Sequence, residues 1–405
     1  MLMKSESVEV ALSDLRLGWK MHEEEQLRVA QRFSGLYALR TFSYLQKLRF
    51  QRGVSARLRK PYHVQVAYSD WGPVDAPVVI CMGGVVNTAV RFNFLAEVLS
   101  RHFRVICMDW LGRGRSGWLA DDSEYGMPVY LEQLRQLLKH LRSSNHSASI
   151  RSGPVTLLGS SMGGLVAMEF AARFPAAVRS LILNDIGPCV PKARRARRAA
   201  TVARFFVFRT PEELFRRVGA SQKNDGPIGE DVRRFIAYHQ TRWSDEHGGR
   251  IYNHDVRALI AYRREAIHDV NLWHEWSKVK APVLLLHGIE SDALNVKTIQ
   301  RMHQGHHMAV AHIPKTGHTP ALIDGSQTAT IYQWLTGDLS LSAGCEFSLP
   351  HEPRTAGEAT VIPRLGLVEV GQDSAAFALS YHSASTGVVW PRYVPELLRR
   401  GGVSF

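Results

Sequence analysis

Seven short apolar runs recur along this chain between residues 63 and 314, and segments of helical character separate most of them. They are "HVQVAY" (63–68), "PVVICM" (77–82), "RVICMD" (104–109), "PVTLLG" (154–159), "SLILND" (180–185), "PVLLLH" (282–287) and "AVAHIP" (309–314). Several are apolar at nearly every position, as strands covered on both faces must be; a half-exposed strand would alternate. Strands of that kind, joined by helices such as 127–142 and 163–174, build a mostly parallel, doubly wound α/β sheet. The rhythm breaks over 187–276, which is long, charged and helical in pattern, with Gly226-Pro227 as punctuation. That interval is expected to be a cap inserted between two strands. The expected organisation is an N-terminal basic helical extension (1–59), a core (60–186 and 277–336), a helical cap or lid (187–276) and a C-terminal tail (337–405) that is rich in Ser, Gly and Pro and only weakly patterned.

With 405 residues, 45% of them hydrophobic, the chain can bury a large core. It contains no run of roughly 18 apolar residues, the length of a membrane span. Its opening "MLMKSESVEVALSDL" is too acidic and broken for the apolar segment of a signal peptide. The cysteines at 81, 107, 189 and 345 form no CxxC pair, so neither a zinc site nor a disulfide framework is expected, and the expected compartment is the cytoplasm.

The net charge of +13 is concentrated in two places. From Gln26 to Lys60 there are nine Lys or Arg and no Asp or Glu, and "PKARRARRAATVARFFVFR" (191–209) is a second cluster. The spacing of Leu27, Ala30, Phe33, Tyr37, Phe42, Leu45 and Leu48 predicts a helix over 22–52, weakened or bent at Gly35. The stretch 26–60, basic and interleaved with aromatics, is expected to allow peripheral association with an anionic surface; no nucleic-acid partner is expected. The oligomeric state stays open.

The chemistry centres on "LLGSSMGG" (157–164). A serine at a sharp strand-to-helix turn needs small residues two before and two after it. Ser160 has Leu158 and Met162 there, and fails. Ser161 has Gly159 and Gly163, with a strand before and the helical "GGLVAMEFAARFP" after it. A serine nucleophile needs a base, and the base an orienting acid, carried in this architecture by loops after later strands. "PVLLLHGIESDAL" offers Asp292 and "AVAHIPKTGHTPAL" offers His318. Asp292 is preferred as the acid over Glu290, with Asp185 in "ILNDIGP" as the alternative. His318 is preferred over His287, His303, His306, His307 and His312. For an oxyanion, one donor is the N–H of Met162 and the other belongs to "ICMGGVVNT": Val85, or Gly84 if the register is one shorter. "DWLGRGRSG" (109–117) lacks GK[ST] and GxGxxG, and reads as a structural turn shaping the site rather than a phosphate loop.

Together these motifs, in this order, resemble the α/β-hydrolase superfamily over roughly residues 60–336, and most closely its esterase-like members with a helical cap. The resemblance implies the α/β-hydrolase fold, Ser161 as nucleophile, His318 as base, Asp292 as acid, and Val85 and Met162 as oxyanion donors. One departure is that the early loop, His-Gly in the family, here reads Met82-Gly83 or Gly83-Gly84. Superfamily members with Asp at the elbow, the dehalogenases and epoxide hydrolases, are excluded by Ser161. The expected activity is cleavage of a carboxylic ester through an acyl-enzyme, with no cofactor and no metal. The alternatives are carbon–carbon hydrolysis of a ring-cleavage dienone on the same residues, and a non-catalytic binding protein on a hydrolase scaffold. Phe205, Phe206, Phe208, Trp243, Trp273 and Trp276 are expected to form the cap's own core more than an acyl pocket.

Overall fold

The computed structural model describes residues 3–46, 61–143, 153–202, 204–222 and 225–337, and two short strands beyond them. After a helix at Met3–Gln31 come strands β1 (Tyr37–Gln46), β2 (Tyr62–Trp71), β3 (Val78–Met82), β4 (Arg104–Met108), β5 (Val155–Ser160) and β6 (Val178–Asn184). β7 (Cys189–Val190), β8 (Val207–Phe208), β9 (Thr241–Ser244), β10 (Gly249–Tyr252) and β11 (Val270–Asn271) fall within the inserted segment, followed by β12 (Val283–Gly288) and β13 (Met308–Ile313). The main sheet has the order β1-β2-β4-β3-β5-β6-β12-β13. From β4 to β13 its strands are parallel, while β1 and β2 run antiparallel at one edge. All seven apolar runs are therefore strands of one sheet, in the α/β-hydrolase fold. Of the two strands in the tail, Leu367–Val368 (β14) and Phe377–Tyr381 (β15), β15 pairs antiparallel with β13.

The runs are apolar throughout because both faces are covered. In β3, Val78, Ile80 and Met82 face the helices Met127–Ser143 and Met162–Arg173, whereas Val79 and Cys81 face the helix Asn93–Leu99 and Trp334. Cys81 and Cys107 are fully buried within these runs, where each acts as a small apolar side chain.

The helix expected over 22–52 ends instead at Gln31, and Tyr37–Gln46 is a strand. Gly35, at φ 75°, lies in the turn that reverses the chain. Within β1, Arg40, Phe42, Tyr44 and Gln46 face inward, which is a period of two, and all ten residues pair with β2. Two of the basic residues are already paired here: Arg32 with Glu97 and Arg40 with Asp70, both at 2.8 Å. Lys47, Arg49, Arg52, Arg57, Arg59 and Lys60, on which the anionic-surface expectation chiefly rests, lie outside the described residues.

The segment between β6 and β12 is helical in part, and it also holds a small antiparallel sheet, β8-β10-β9, and the pair β7–β11. The N-terminal helix packs on it. Trp19 is buried against Phe208, Leu214, Val218 and Ala237, with its indole N–H donating to the Arg209 carbonyl at 2.9 Å. Phe206 and Trp243 pack on that same cluster, while Trp276 and Trp273 belong to the main core and Phe205 is exposed. Among the described residues, no helix is long and apolar enough to cross a membrane.

Candidate active site

β5 ends at Ser160 and the helix Met162–Arg173 starts two residues later, leaving Ser161 to make the whole turn. Its backbone sits at φ 51° and ψ −114°, a conformation that costs a residue other than glycine about 1–3 kcal/mol. The glycines beside it are there for room. A Cβ on Gly159 would lie 2.4 Å from the Gly164 nitrogen, and one on Gly163 would lie 2.3 Å from the Met82 carbonyl oxygen. Ser160, the other serine of the pair, is buried and accepts from Asn184 Nδ2 at 2.9 Å; the same Asn184 group also donates to the Pro320 carbonyl.

His318 lies on the loop after β13. That loop is tied to the end of β12 by Glu290 N–H donating to the Thr316 carbonyl at 2.8 Å. Gly288 makes the approach possible, since a Cβ there would be 2.1 Å from the Gly317 oxygen. The loop brings His318 Nε2 to 3.0 Å from Ser161 Oγ. On its other side, His318 Nδ1 is 2.9 Å from Asp185 Oδ2.

The acid preferred from the sequence is therefore not the residue that meets the histidine. Asp292 binds Arg194 at 3.0 Å and lies 3.7 Å from Arg197, with its side chain 64% exposed. Partial burial would raise its pKa, but the charge and hydrogen bond of Arg194 outweigh that and hold it below the usual carboxylate range, with His318 and Arg197 adding to the effect. The physical reason is position on the sheet. Asp185 directly follows β6, the neighbour of both β5 and β12, and is fixed there with φ 54°. Its carboxylate is wholly buried; it accepts from Gly288 N–H at 3.1 Å on Oδ1 and from the Ser291 hydroxyl on Oδ2. Asp292 lies four residues past β12, on a loop drawn toward the inserted segment. Glu290 is exposed.

The loop after β3 lies against Ser161: a Cβ on Gly84 would be 3.4 Å from the Ser161 Cβ. Gly84 N–H donates to Asn87 Oδ1 at 3.1 Å and is thereby occupied. Val85 N–H and Met162 N–H are engaged by no partner among the described residues. "DWLGRGRSG" shapes this loop from behind, a role its sequence only hinted at. Trp110 Nε1 donates to the Gly83 carbonyl at 2.8 Å and Arg113 Nε to the Val85 carbonyl at 2.9 Å, with Arg113 itself buried.

A line of three groups like this can pass a hydroxyl proton to an imidazole whose opposite nitrogen is held by a buried carboxylate, and unengaged N–H groups beside the hydroxyl can receive a developing negative charge. A profile described as the alpha/beta hydrolase family matches residues 83–330. This chain belongs to that family. It is 31% identical over 285 residues, which is 67% of this chain and 93% of the relative, to a 3-hydroxybutyrate-oligomer hydrolase of Cupriavidus necator. Among solved structures it resembles an alpha/beta hydrolase of Novosphingobium aromaticivorans, with a TM-score of 0.61, 24% identity, and coverage of 74% of this chain and 98% of that one. It also resembles an esterase of Mycobacterium tuberculosis, with a TM-score of 0.52, 20% identity, and coverage of 80% and 98%. The two structural likenesses are likenesses of fold. The family and the relative together make this chain an enzyme, a hydrolase.

Two rejected histidines form a buried pair in this hydrolase, on adjacent strands behind the site. His287 Nε2 lies 3.1 Å from the Leu294 carbonyl, so it carries the proton and donates. His287 Nδ1 then accepts from His312 Nδ1–H at 2.9 Å, and both rings are neutral. Burial lowers both pKa values, that of His312 to about 4 with repulsion from His287 adding. Burial also lowers His239 and His254 to about 4. Unfolded, these groups titrate near 6.5, so between pH 6.5 and 4 the unfolded chain binds more protons at His239, His254 and His312, and His287 acts in the same direction. The stability they contribute is complete above pH 6.5 and is lost as pH falls, by at most about 1.4 kcal/mol per pH unit for each histidine. The urea midpoint is expected to drop clearly from pH 7.5 to pH 5, and an equal midpoint at both would contradict the neutral pair.

Proposed function

We propose that this chain is a serine hydrolase that cleaves carboxylic esters through a catalytic triad of Ser161, His318 and Asp185. The observation that carries the reading is the unbroken hydrogen-bonded line from Ser161 Oγ through His318 to the buried Asp185 carboxylate. Ser161 Oγ attacks the ester carbonyl while His318 Nε2 takes its proton. Asp185 keeps the remaining proton on Nδ1 and stabilises the imidazolium that forms. The tetrahedral oxyanion is received by the N–H groups of Met162 and Val85, each worth roughly 3–4 kcal/mol in comparable sites. Collapse gives an acyl-enzyme and the alcohol, which takes the proton from His318; water, activated by His318, then releases the acid. The bonds within a 3-hydroxybutyrate oligomer are carboxylic esters, so the name of the Cupriavidus relative supports ester rather than amide or carbon–carbon cleavage.

Wild type is expected to hydrolyse short p-nitrophenyl esters and 3-hydroxybutyrate dimer, and a fluorophosphonate is expected to label Ser161. Ser161→Ala should lose the label and lower kcat by about 10⁶-fold. Full turnover in Ser161→Ala would overturn the reading. Faster turnover of a ring-cleavage dienone than of any ester would move the assignment to carbon–carbon hydrolysis.

A further inference from the structure

Two polar pairs face each other across β5 and β6, and one of them reaches beyond the sheet. Thr156 lies opposite Ser180 and Ser160 opposite Asn184 in the register of these strands, and all four residues are buried. The first pair is closed on itself, with Thr156 Oγ1 and Ser180 Oγ 2.9 Å apart. In the second pair, Asn184 Nδ2 donates one hydrogen to Ser160 Oγ and the other to the Pro320 carbonyl, both at 2.9 Å. A proline carbonyl can only accept, so the amide nitrogen of Asn184 must face it and the sense of the side chain is fixed.

This bridge repeats the reactive line beside itself. Ser161, Asp185 and His318 are joined through His318. Ser160, Asn184 and Pro320, which neighbour them in the chain, are joined through Asn184. Ser161 N–H adds a further link, donating to the Asn184 carbonyl at 3.3 Å. The same three segments are thus tied twice, once by groups that exchange protons and once by groups that do not. The second tie falls where the loop needs it. Thr319, between His318 and Pro320, sits at φ 62°, and Lys315 at φ 55°. A β-branched residue at positive φ is costly and persists only where its surroundings hold it. Arg91, from the turn Ala89–Phe92, holds the Thr319 carbonyl at 3.1 Å. Asn184 holds the next carbonyl, and links it directly to the strand that ends at the nucleophile.

We propose that Asn184 is a positioning residue, whose buried amide bridge holds the loop carrying His318 at the distance from Ser161 where a proton can pass. This rests on the ester-hydrolase reading above. The bond between His318 and Ser161, 3.0 Å long, is broken and remade in every cycle, whereas the bonds of Asn184 need not change. They return the imidazole to its place. A displacement of about 1 Å at such a group is enough to cost roughly 10²-fold in rate.

The test uses butyrate esters of two alcohols. The alkoxide departing from ethyl butyrate must take a proton from His318, whereas p-nitrophenolate leaves without one. Asn184→Ser keeps a polar group in the buried position but is too short to reach Pro320. It is expected to lower kcat on ethyl butyrate by roughly 10²-fold, with KM within about twofold of wild type. Its loss in kcat/KM on p-nitrophenyl butyrate should be about tenfold smaller, and Asn184→Ala should follow the same pattern. Ser180→Ala, which breaks the pair closed within the sheet, should lower the urea midpoint and leave both rates within about twofold of wild type. In parallel, the downfield proton resonance of His318 Nδ1, assigned by its loss in His318→Gln, should persist in Ser180→Ala and broaden or vanish in Asn184→Ser. Wild-type kinetics in Asn184→Ser, or an equal loss on the two esters, overturns the proposal. If wild type cleaves neither ester, the ester reading fails and the resonance alone decides. Its loss in Asn184→Ser would then uphold the positioning role, and its retention would overturn it.

Discussion

Asp185→Asn should lower kcat by about 10⁴-fold, with little change in KM or in the fold, because it reverses the proton on His318. Gly288 N–H can only donate, and it meets Oδ1 of Asp185. An asparagine placed there must turn its carbonyl oxygen to Gly288, which leaves its amide N–H₂ facing His318 Nδ1. His318 then carries its proton on Nε2 and cannot accept from Ser161. Asp292→Asn serves as the contrast. Its side chain is exposed and pairs with arginines of the inserted segment, an arrangement worth at most about 1 kcal/mol, so kcat should stay within about fivefold of wild type. Steady-state rates on one p-nitrophenyl ester suffice to decide. Equal losses in the two variants, or a larger loss in Asp292→Asn, would return the acid to the loop after β12.

Why the sequence points to Asp292 while the structure joins Asp185 to His318 is a matter of what each residue is anchored to. The strands were legible because burial on both faces leaves no polar position in stretches such as "VVICM" (78–82) and "VLLL" (283–286). The elbow was legible because backbone crowding at 159 and 163 excludes every side chain, and only Ser161 has glycine at both flanks. The acid, by contrast, depends on which loop the sheet holds and which the inserted segment draws away. Arg194 and Arg197 lie almost a hundred residues from Asp292, so no local pattern shows that they engage it. A usable signal did exist: Asp185 directly follows its strand, whereas Asp292 is four residues beyond its own. The oxyanion register had a comparable signal in Asn87, whose side chain reaches back to the Gly84 N–H and leaves Val85 next in line. The strand at 37–46 was hidden because Tyr37, Phe42 and Leu45 fit a helical spacing as readily as Phe42 and Tyr44 fit alternation. Only pairing with β2 separates the two.

Gly163→Ala should damage catalysis far more than its single methyl group suggests. The added Cβ would fall 2.3 Å from the Met82 oxygen, 2.8 Å from the Met82 carbonyl carbon and 2.9 Å from the Gly83 oxygen. All three are backbone atoms, so no side chain can swing aside to make room. Either the start of the helix Met162–Arg173 or the loop after β3 must retreat, and these two segments carry the two proposed oxyanion donors, Met162 N–H and Val85 N–H. Loss of one such donor costs about 10²–10³ in kcat, whereas overpacking one methyl in a core costs typically about 1–3 kcal/mol of stability. The expected result is a folded protein with a modestly lower urea midpoint and kcat reduced at least a hundredfold. Gly219→Ala, on the helix Pro211–Gln222 with open space around the new Cβ, should leave both quantities near wild type. If Gly163→Ala folds and keeps kcat within tenfold of wild type, the two segments can part without harm. The oxyanion would then have to be held by groups other than the Met162 and Val85 amides.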